Sequence, residues 1–381
     1  MDIFTNILEF GNTLFSYVLP FLFVLTIVVF FHELGHFIVA RWCGVGVKVF
    51  SIGFGKEVFG FNDKKGTRWR ISWVPLGGYV KFIDDENAAS VPGKRQLSDV
   101  PPELRDKLFH GKTLAQRAAV VAAGPIANFI LAILIFAAMF TFVGQRTTAP
   151  IADQVSPNSA AELAGFKPGD RVLSIDGQDI ETFAEMQRIV SVSADRQLKF
   201  VLDRGGNQIE LTATPKRREI TDNFGNKIRL GLLGIRRETQ AGEWNYKSYD
   251  PLTAIWLGTK ETYFVIDRTL NYLYDVITGR ESADQLGGPL RIAQISGQVA
   301  SVGILALINL AAILSVSIGL INLFPIPMLD GGHLLFYGIE AIRGRPLSDK
   351  TQEIGFRIGL AFVLMLMVFA TWNDLIHLKF L

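Results

Sequence analysis

Residues 17–43 are apolar over a length that can cross a bilayer, yet they carry two imidazoles and a carboxylate in one short stretch, His32-Glu33-Leu34-Gly35-His36. Hydrocarbon offers no partner to backbone polar groups, so a spanning segment of this kind folds as a helix. An ionisable side chain within it needs partners or a wet cavity. The constraint is double: the segment must be a membrane helix, and the rest of the chain must fold around what three polar side chains demand. On a helix His32 and His36 lie one turn apart on one face, within reach of a single metal ion. Glu33 then stands near the open coordination position, where a carboxylate can take a proton from bound water. The pattern predicts zinc-dependent hydrolysis inside a membrane. The competing reading is a solvated helix end beyond a shorter span. The nearly unbroken apolar run at 18–31, and Phe37-Ile38-Val39-Ala40 after the motif, oppose it.

Four spans of about 20 residues or more are expected, at 17–40, 118–143, 302–324 and 358–376. The chain is 49% hydrophobic and only 19% charged, against about 25% charged for a soluble domain. That composition describes an integral membrane protein with a soluble part attached, in contact with membrane lipid. A net charge of +2 gives no electrostatic footprint for nucleic acid. The single cysteine, Cys43, excludes an intrachain disulfide and a thiolate zinc cluster, and reads as a packing residue. Residues 1–16 hold Asp2 and Glu9 but no Lys or Arg, so no cleavable signal peptide is expected. Basic residues flank the connections after the first span (Arg41, Lys48, Lys107, Lys112, Arg117) and after the third (Arg343, Arg345, Lys350, Arg357). Both connections should therefore face the cytoplasm, with both termini and the long middle segment outside.

Between the spans the pattern changes. Residues 45–82 alternate in a strand-like way around Asn62-Asp63-Lys64-Lys65-Gly66, which predicts a small antiparallel juxtamembrane sheet. Residues 84–112 are charged and contain proline, as in a surface loop. Residues 148–237 read as a soluble α+β domain. It should hold a short capped helix at 157–165, a strand at 171–175, a helix at 183–192, and a hairpin turning at Arg204-Gly205-Gly206-Asn207. About 90 residues suffice for one core. Residues 251–278 are amphipathic and aromatic-rich, suited to the membrane surface or to packing on the soluble domain. The expected organisation is a first membrane part at 1–147, the soluble domain at 148–237, an amphipathic connector at 238–301, and a second membrane part at 302–381.

The third span ends in Asn322-Leu323-Phe324-Pro325-Ile326-Pro327-Met328-Leu329-Asp330-Gly331-Gly332-His333. A catalytic zinc takes three protein ligands and keeps one open site. The first span supplies two; Asp330 and His333 are both candidates for the third. The motif lies about 15 residues into a helix starting outside, or about 22 Å down at 1.5 Å per residue. Asp330 lies just past the inner end of a helix running the same way, so both pieces fall at one depth. Pro325 and Pro327 stop the helix and leave extended backbone, which is tolerated at membrane depth where it is buried in protein or lines a wet cavity.

These residues resemble the site-2 protease family of intramembrane zinc metalloproteases, most closely the bacterial regulator-of-sigma-E protease group. The resemblance rests on His32-Glu33-Leu34-Gly35-His36 with Asn322 through Asp330-Gly331-Gly332. Gly124-Pro125-Ile126-Ala127-Asn128 in the second span and Pro75-Leu76-Gly77-Gly78-Tyr79-Val80 in the sheet extend it. The soluble domain resembles a PDZ domain, especially over 156–177. Well-known members of the group carry two such domains, and this chain has room for one, as in single-PDZ members.

The resemblance implies a polytopic α-helical membrane protein with four transmembrane helices, a juxtamembrane β-sheet and one inserted PDZ-like domain. It implies Zn²⁺ on His32, His36 and Asp330, with Glu33 as the catalytic base. The expected substrates are single-pass membrane proteins such as anti-sigma factors, first clipped outside by a site-1-type protease, and remnant signal peptides. The expected location is the bacterial inner membrane, with the PDZ-like domain on the periplasmic side, able to bind a free C-terminus. Gly77-Gly78-Tyr79-Val80 is the candidate edge for strand addition of an unwound substrate. Asn322 is a candidate hydrogen-bond donor to substrate or oxyanion, and the extended backbone at Pro325 and Pro327 completes the expected substrate-binding set. The alternative is a non-catalytic PDZ-bearing membrane adaptor with structural zinc. A pseudoenzyme is free to lose Glu33, which argues against it.

Overall fold

The computed structural model describes residues 2–84, 106–221, 227–238, 245–283 and 287–377. The stretch expected as a surface loop at 84–112 thus lies mostly outside the described residues. In chain order come helix α1 (Asp2–Trp42), strands β1 (Val47–Asn62) and β2 (Arg68–Phe82), and helix α2 (Leu114–Ala138). Then follow short helices α3 (Ala160–Ala164) and α4 (Phe183–Val192) among several strands. Last come α5 (Pro251–Ile277), α6 (Pro289–Val302), α7 (Ile304–Asn322), α8 (Asp330–Arg343) and α9 (Asp349–His377). The chain divides into two compact units, Met1–Ala137 with Ile255–Leu381, and Ala138–Ala254.

Four helical segments among the described residues are long and apolar enough to span a bilayer: Phe15–Trp42, Leu114–Val143, Ile304–Asn322 and Lys350–Ile376. The four expected runs are each met: the first, second and fourth reach beyond the expected bounds because a helix continues past its apolar core, whereas the third is shorter at both ends, bounded by Gly303 and Leu323. Small residues set the close crossings, as expected where packing rather than hydrophobicity drives association. A Cβ added at Gly35 of α1 would stand 2.3 Å from the Ala123 carbonyl oxygen of α2. Helix α5 packs on α2 in the same manner: a Cβ at Gly258 would meet the Ile133 carbonyl oxygen at 2.7 Å. The amphipathic segment is thus a partner of the second span. Residues 289–302, for which the pattern gave no element, form α6, joined to α7 at Gly303. The N-terminus of α6 is capped from another helix. Asp374 of α9, fully buried, accepts hydrogen bonds from the backbone N–H groups of Gly288 (2.8 Å), Leu290 and Arg291 (both 3.1 Å). Those donors lack intrahelical partners and the helix dipole favours a carboxylate there.

The juxtamembrane sheet is built from two long bent strands. Residues Phe50, Ser51 and Ile52 of β1 pair on one side with Trp69, Arg70 and Ile71 and on the other with Val80, Tyr79 and Gly78. The outer part of β1 pairs again with β2, Phe59 with Ile71 and Phe61 with Trp69. The 78–82 stretch is therefore an edge. Asp63 closes the turn through Oδ1, which accepts from the Lys65 (2.8 Å) and Thr67 (2.9 Å) backbone N–H groups. Its other oxygen accepts from Arg41 at 2.7 Å, tying the sheet to the last turn of α1. Phe50 stacks on Trp69 at 4.3 Å and packs against Phe37 of α1. Cys43 is a partly buried member of the same cluster.

The second unit holds a four-stranded antiparallel sheet in the order Gln178–Asp179, Arg171–Ile175, Leu198–Arg204, Asn207–Ala213. Val172, Phe200 and Leu202 are fully buried at its centre. Ser159 caps α3 and Gly165 ends it with φ 91°, a conformation glycine adopts freely. Thr182 and Glu185 form a capping box on α4. Asp170 is fully buried and takes two hydrogen bonds from Arg204, at 2.6 and 2.7 Å, and one from the Lys167 N–H at 2.8 Å. Burial opposes its ionisation, but Arg204 and the Lys167 N–H reverse that and hold the carboxyl below the usual range. Because the folded value is lowered, the stabilisation is full above about pH 4 and is lost as pH falls below it. Asp170→Asn should lower the melting midpoint of this unit by about 5 °C or more at neutral pH. The gap to wild type should narrow below about pH 4. Differential protease sensitivity of the full-length protein on heating measures both.

Candidate metal centre

The first turn of the site comes from α1. His32 is 9% exposed, and its Nε2 lies 3.2 Å from Nε2 of His36, the two rings meeting edge to face. The one-turn spacing of the motif produces that convergence. Helix α8 supplies Asp330 at its first residue. Asp330 Oδ2 lies 3.2 Å from His32 Nε2 and 3.6 Å from His36 Nε2. Among the described residues, this is the group of three that can hold a metal ion, with ligand atoms all within 4.8 Å of one another.

The group fits zinc. Tetrahedral Zn²⁺ with bonds of about 2.0–2.1 Å separates its ligand atoms by about 3.3 Å, and the distances here are 3.2, 3.2 and 3.6 Å. Asp330 Oδ2 is buried and has no aligned hydrogen-bond donor, although two imidazole nitrogens face it. A buried carboxylate oxygen so placed is costly without a cation. His36 Nδ1 lies 2.8 Å from the Val120 carbonyl oxygen. A carbonyl only accepts, so Nδ1 carries the proton and Nε2 keeps its lone pair.

Helix α2 forms the back wall. A Cβ added at Gly124 would stand 2.2 Å from His36 Nε2 and 2.8 Å from His32 Nε2, so only glycine leaves room for both rings. Pro125 follows inside the helix and removes one backbone hydrogen bond there. Asn128, fully buried, lies 3.2 Å from His32 Nδ1.

A cavity of about 510 Å³ opens on the group and is lined by His32, Glu33, His36, Asp330, Asn322 and the strand edge Gly78-Tyr79-Val80. Glu33 lies within hydrogen-bonding reach of the Val80 backbone N–H. Gly78 lets that strand approach: a Cβ there would meet Glu33 Cγ at 3.2 Å. Tyr79 is held by Arg70 and stacks on Phe54 at 6.0 Å. Gly77, Pro325 and Pro327 stand off the cavity wall, with Pro327 pressed against Gly359 of α9. His333 shares the cavity but not the ligand group, and its ring packs on Phe356 at 5.2 Å.

Other residues around the cavity carry no sequence signal for the site itself. Arg117 of α2 pairs with Glu340 of α8 at 2.6 Å and lies over the Tyr337 ring at 4.9 Å, joining the two helices beside the metal group. Asp84 accepts from the backbone N–H groups of Phe109 (3.1 Å) and His110 (3.0 Å) and pairs with the His110 ring at 2.7 Å. Burial works against the Asp84 charge, but the His110 contacts hold its carboxyl below the usual range. That carboxylate fixes the Phe109–His110 rim.

Comparison with known proteins agrees with this chemistry. The profile of peptidase family M50 matches residues 20–366. A protein of Agrobacterium fabrum, provisionally named a zinc metalloprotease, is 52% identical over 360 residues, which is 94% of this chain and 96% of that one. A Brucella suis protein with the same provisional name is 48% identical over 358 residues, 94% of each chain. The metalloprotease MmpA of Caulobacter vibrioides is 41% identical over 376 residues, 93% of this chain and 94% of its own. With the match running through α1, α2, α7 and α8, this chain belongs to peptidase family M50, the zinc metalloproteases of site-2 type, whose cofactor is Zn²⁺.

Proposed function

We propose that the protein cleaves single-pass membrane proteins within or near the bilayer, with His32, His36 and Asp330 as zinc ligands and Glu33 as general base. One observation carries this reading. Three ligand atoms and a carboxylate meet in a cavity bordered by a spanning helix and an edge strand. When bound, zinc polarises the scissile carbonyl and brings the pKa of its water toward ~7. Glu33 accepts the proton of that water and returns it to the leaving amine. The Val80 N–H beside Glu33 orients the carboxylate for that transfer.

A helix keeps its carbonyls in its own hydrogen bonds, so a transmembrane substrate must unwind before attack. The edge at Gly78-Tyr79-Val80, continued by Gly77, can take the unwound segment by strand addition. Asn322 faces the cavity and can donate to substrate backbone or the developing oxyanion. Pro325 and Pro327 serve that binding indirectly, by holding the extended backbone between Asn322 and Asp330. The basic residues flanking the odd connections support a bacterial inner-membrane protein with both termini outside and water reaching the site from the cytoplasm. The 148–237 domain, PDZ-like by resemblance, then lies on the periplasmic side. It serves either to exclude substrates with bulky ectodomains or to bind a C-terminus freed by a site-1-type protease. Deleting it separates these uses: loss of a gate makes unclipped substrates cleavable, and loss of a recruiter stops cleavage of clipped ones. Anti-sigma-factor-like proteins and remnant signal peptides are the substrate classes the resemblance supports.

The first test is a membrane cleavage assay with a single-pass substrate truncated outside the bilayer. Glu33→Gln should reduce cleavage by roughly 10²–10⁴-fold while zinc stays at one per chain; substantial activity in that variant sinks the role given to Glu33. Zinc bound with cleavage absent in both proteins would favour the adaptor. Gly124→Ala should act on the metal itself, through overpacking worth about 1–3 kcal/mol. Zinc affinity measured by chelator competition should fall by at least about tenfold.

A further inference from the structure

The two histidines of the metal group receive different partners from α2. His36 Nδ1 faces a backbone carbonyl, which fixes its proton on Nδ1. His32 Nδ1 faces the side-chain amide of Asn128, whose Nδ2 stands 3.2 Å away, while the buried Oδ1 has no donor among the described residues. An amide nitrogen can only donate, so this arrangement makes His32 Nδ1 the acceptor and places the ring proton on Nε2. Yet Nε2 is the atom aimed at Asp330 and His36, each 3.2 Å away. A protonated Nε2 cannot ligate. Half a turn of the amide exchanges its two ends without changing shape, and the two ends are assigned only by their hydrogen bonds.

We propose that Asn128 is a positioning residue for the metal centre: its side-chain oxygen accepts a hydrogen bond from His32 Nδ1–H and holds the tautomer that leaves Nε2 free for zinc. The orphaned Oδ1 then gains its donor. Asn128 is fully buried, and its backbone carbonyl accepts from Ser315 Oγ of α7 at 2.8 Å, so its position is fixed by a second helix. Helix α2 thus sets both ring tautomers, through Val120 for His36 and Asn128 for His32, two positions eight residues apart. This inference rests on the proposed ligand set of His32, His36 and Asp330.

The variants separate acceptor from donor, since aspartate only accepts and alanine does neither. Zinc affinity of the full-length protein in detergent, read by chelator competition, should fall about 10–100-fold in Asn128→Ala and stay within about threefold of wild type in Asn128→Asp. Wild-type affinity in Asn128→Ala, or an equal loss in Asn128→Asp, overturns the proposal. Should the aspartate variant not fold, ring nitrogen shifts decide independently of metal. The chain has only five histidines, and His32→Gln assigns the signal. In metal-free wild type His32 Nδ1 should carry its proton, and in Asn128→Ala that preference should weaken. A bare Nδ1 in wild type overturns the proposal. Failure of wild type to bind zinc would instead remove the ligand set, leaving the tautomer measurement to judge Asn128.

Discussion

Placing two imidazoles and a carboxylate inside an apolar helix creates a desolvation cost that the other helices and the sheet must offset, and much of the first unit is arranged to offset it. His36 needs an acceptor and finds the Val120 carbonyl; His32 finds Asn128; Glu33 finds the Val80 N–H. Asp330 arrives from the far half of the sequence to face both rings. Remove any of these and a buried polar atom is left without its partner, which costs more than the bond itself contributes. The polar centre therefore specifies the packing of α1, α2 and α8, where apolar surfaces in lipid would not distinguish one arrangement from another.

Close approach is what makes these partners available. An imidazole reaches only a few ångströms from its helix, so α2 must lie against α1 with nothing between. Gly35 and Gly124 remove the side chains that would hold the axes apart, one from each helix. Gly78 does the same for the strand edge against Glu33. Helix α8 obeys a related rule. Its Asp330 sits in the first turn, where unpaired N–H groups and the helix dipole stabilise a negative charge before any cation is considered. The preceding Met328 adopts φ 92°, a costly conformation for a residue with a Cβ, and the backbone between Pro325 and Asp330 is held there by its neighbours.

The sequence made some of this legible and hid the rest for physical reasons. Spans and helix caps read directly because hydrophobic length and capping chemistry are local. So did the hairpin around Asp63 and the strands and helices of 148–237, where alternation and turn residues carry the signal. The paired histidines and Asp330 were legible as candidates through spacing and depth. Helix α6 was missed because its 14 residues are too short and mixed to stand out as a span. The Arg117–Glu340 pair joins positions 223 apart, and no periodicity reports such a contact. Nor can a pattern reveal a carbonyl, so the Val120 contact with His36 was invisible, although Gly124-Pro125 marked the place where the helix is opened.

That opening shows why a helix-breaking residue stands beside the metal group. A regular helix commits each carbonyl to the N–H four residues on, leaving its backbone with little to offer a neighbour. Pro125 lacks that N–H, so the Val121 carbonyl has no helical donor, one residue from the Val120 carbonyl. A side chain from another helix can then share in that turn, and His36 does. In water the freed group would be solvated and the effect lost. In a membrane it must be satisfied from within the protein; His36 meets the neighbouring Val120 carbonyl, which has a second lone pair to accept with. The turn of α2 that precedes Pro125 thus gives His36 its acceptor one residue from the carbonyl that the proline leaves without a helical donor.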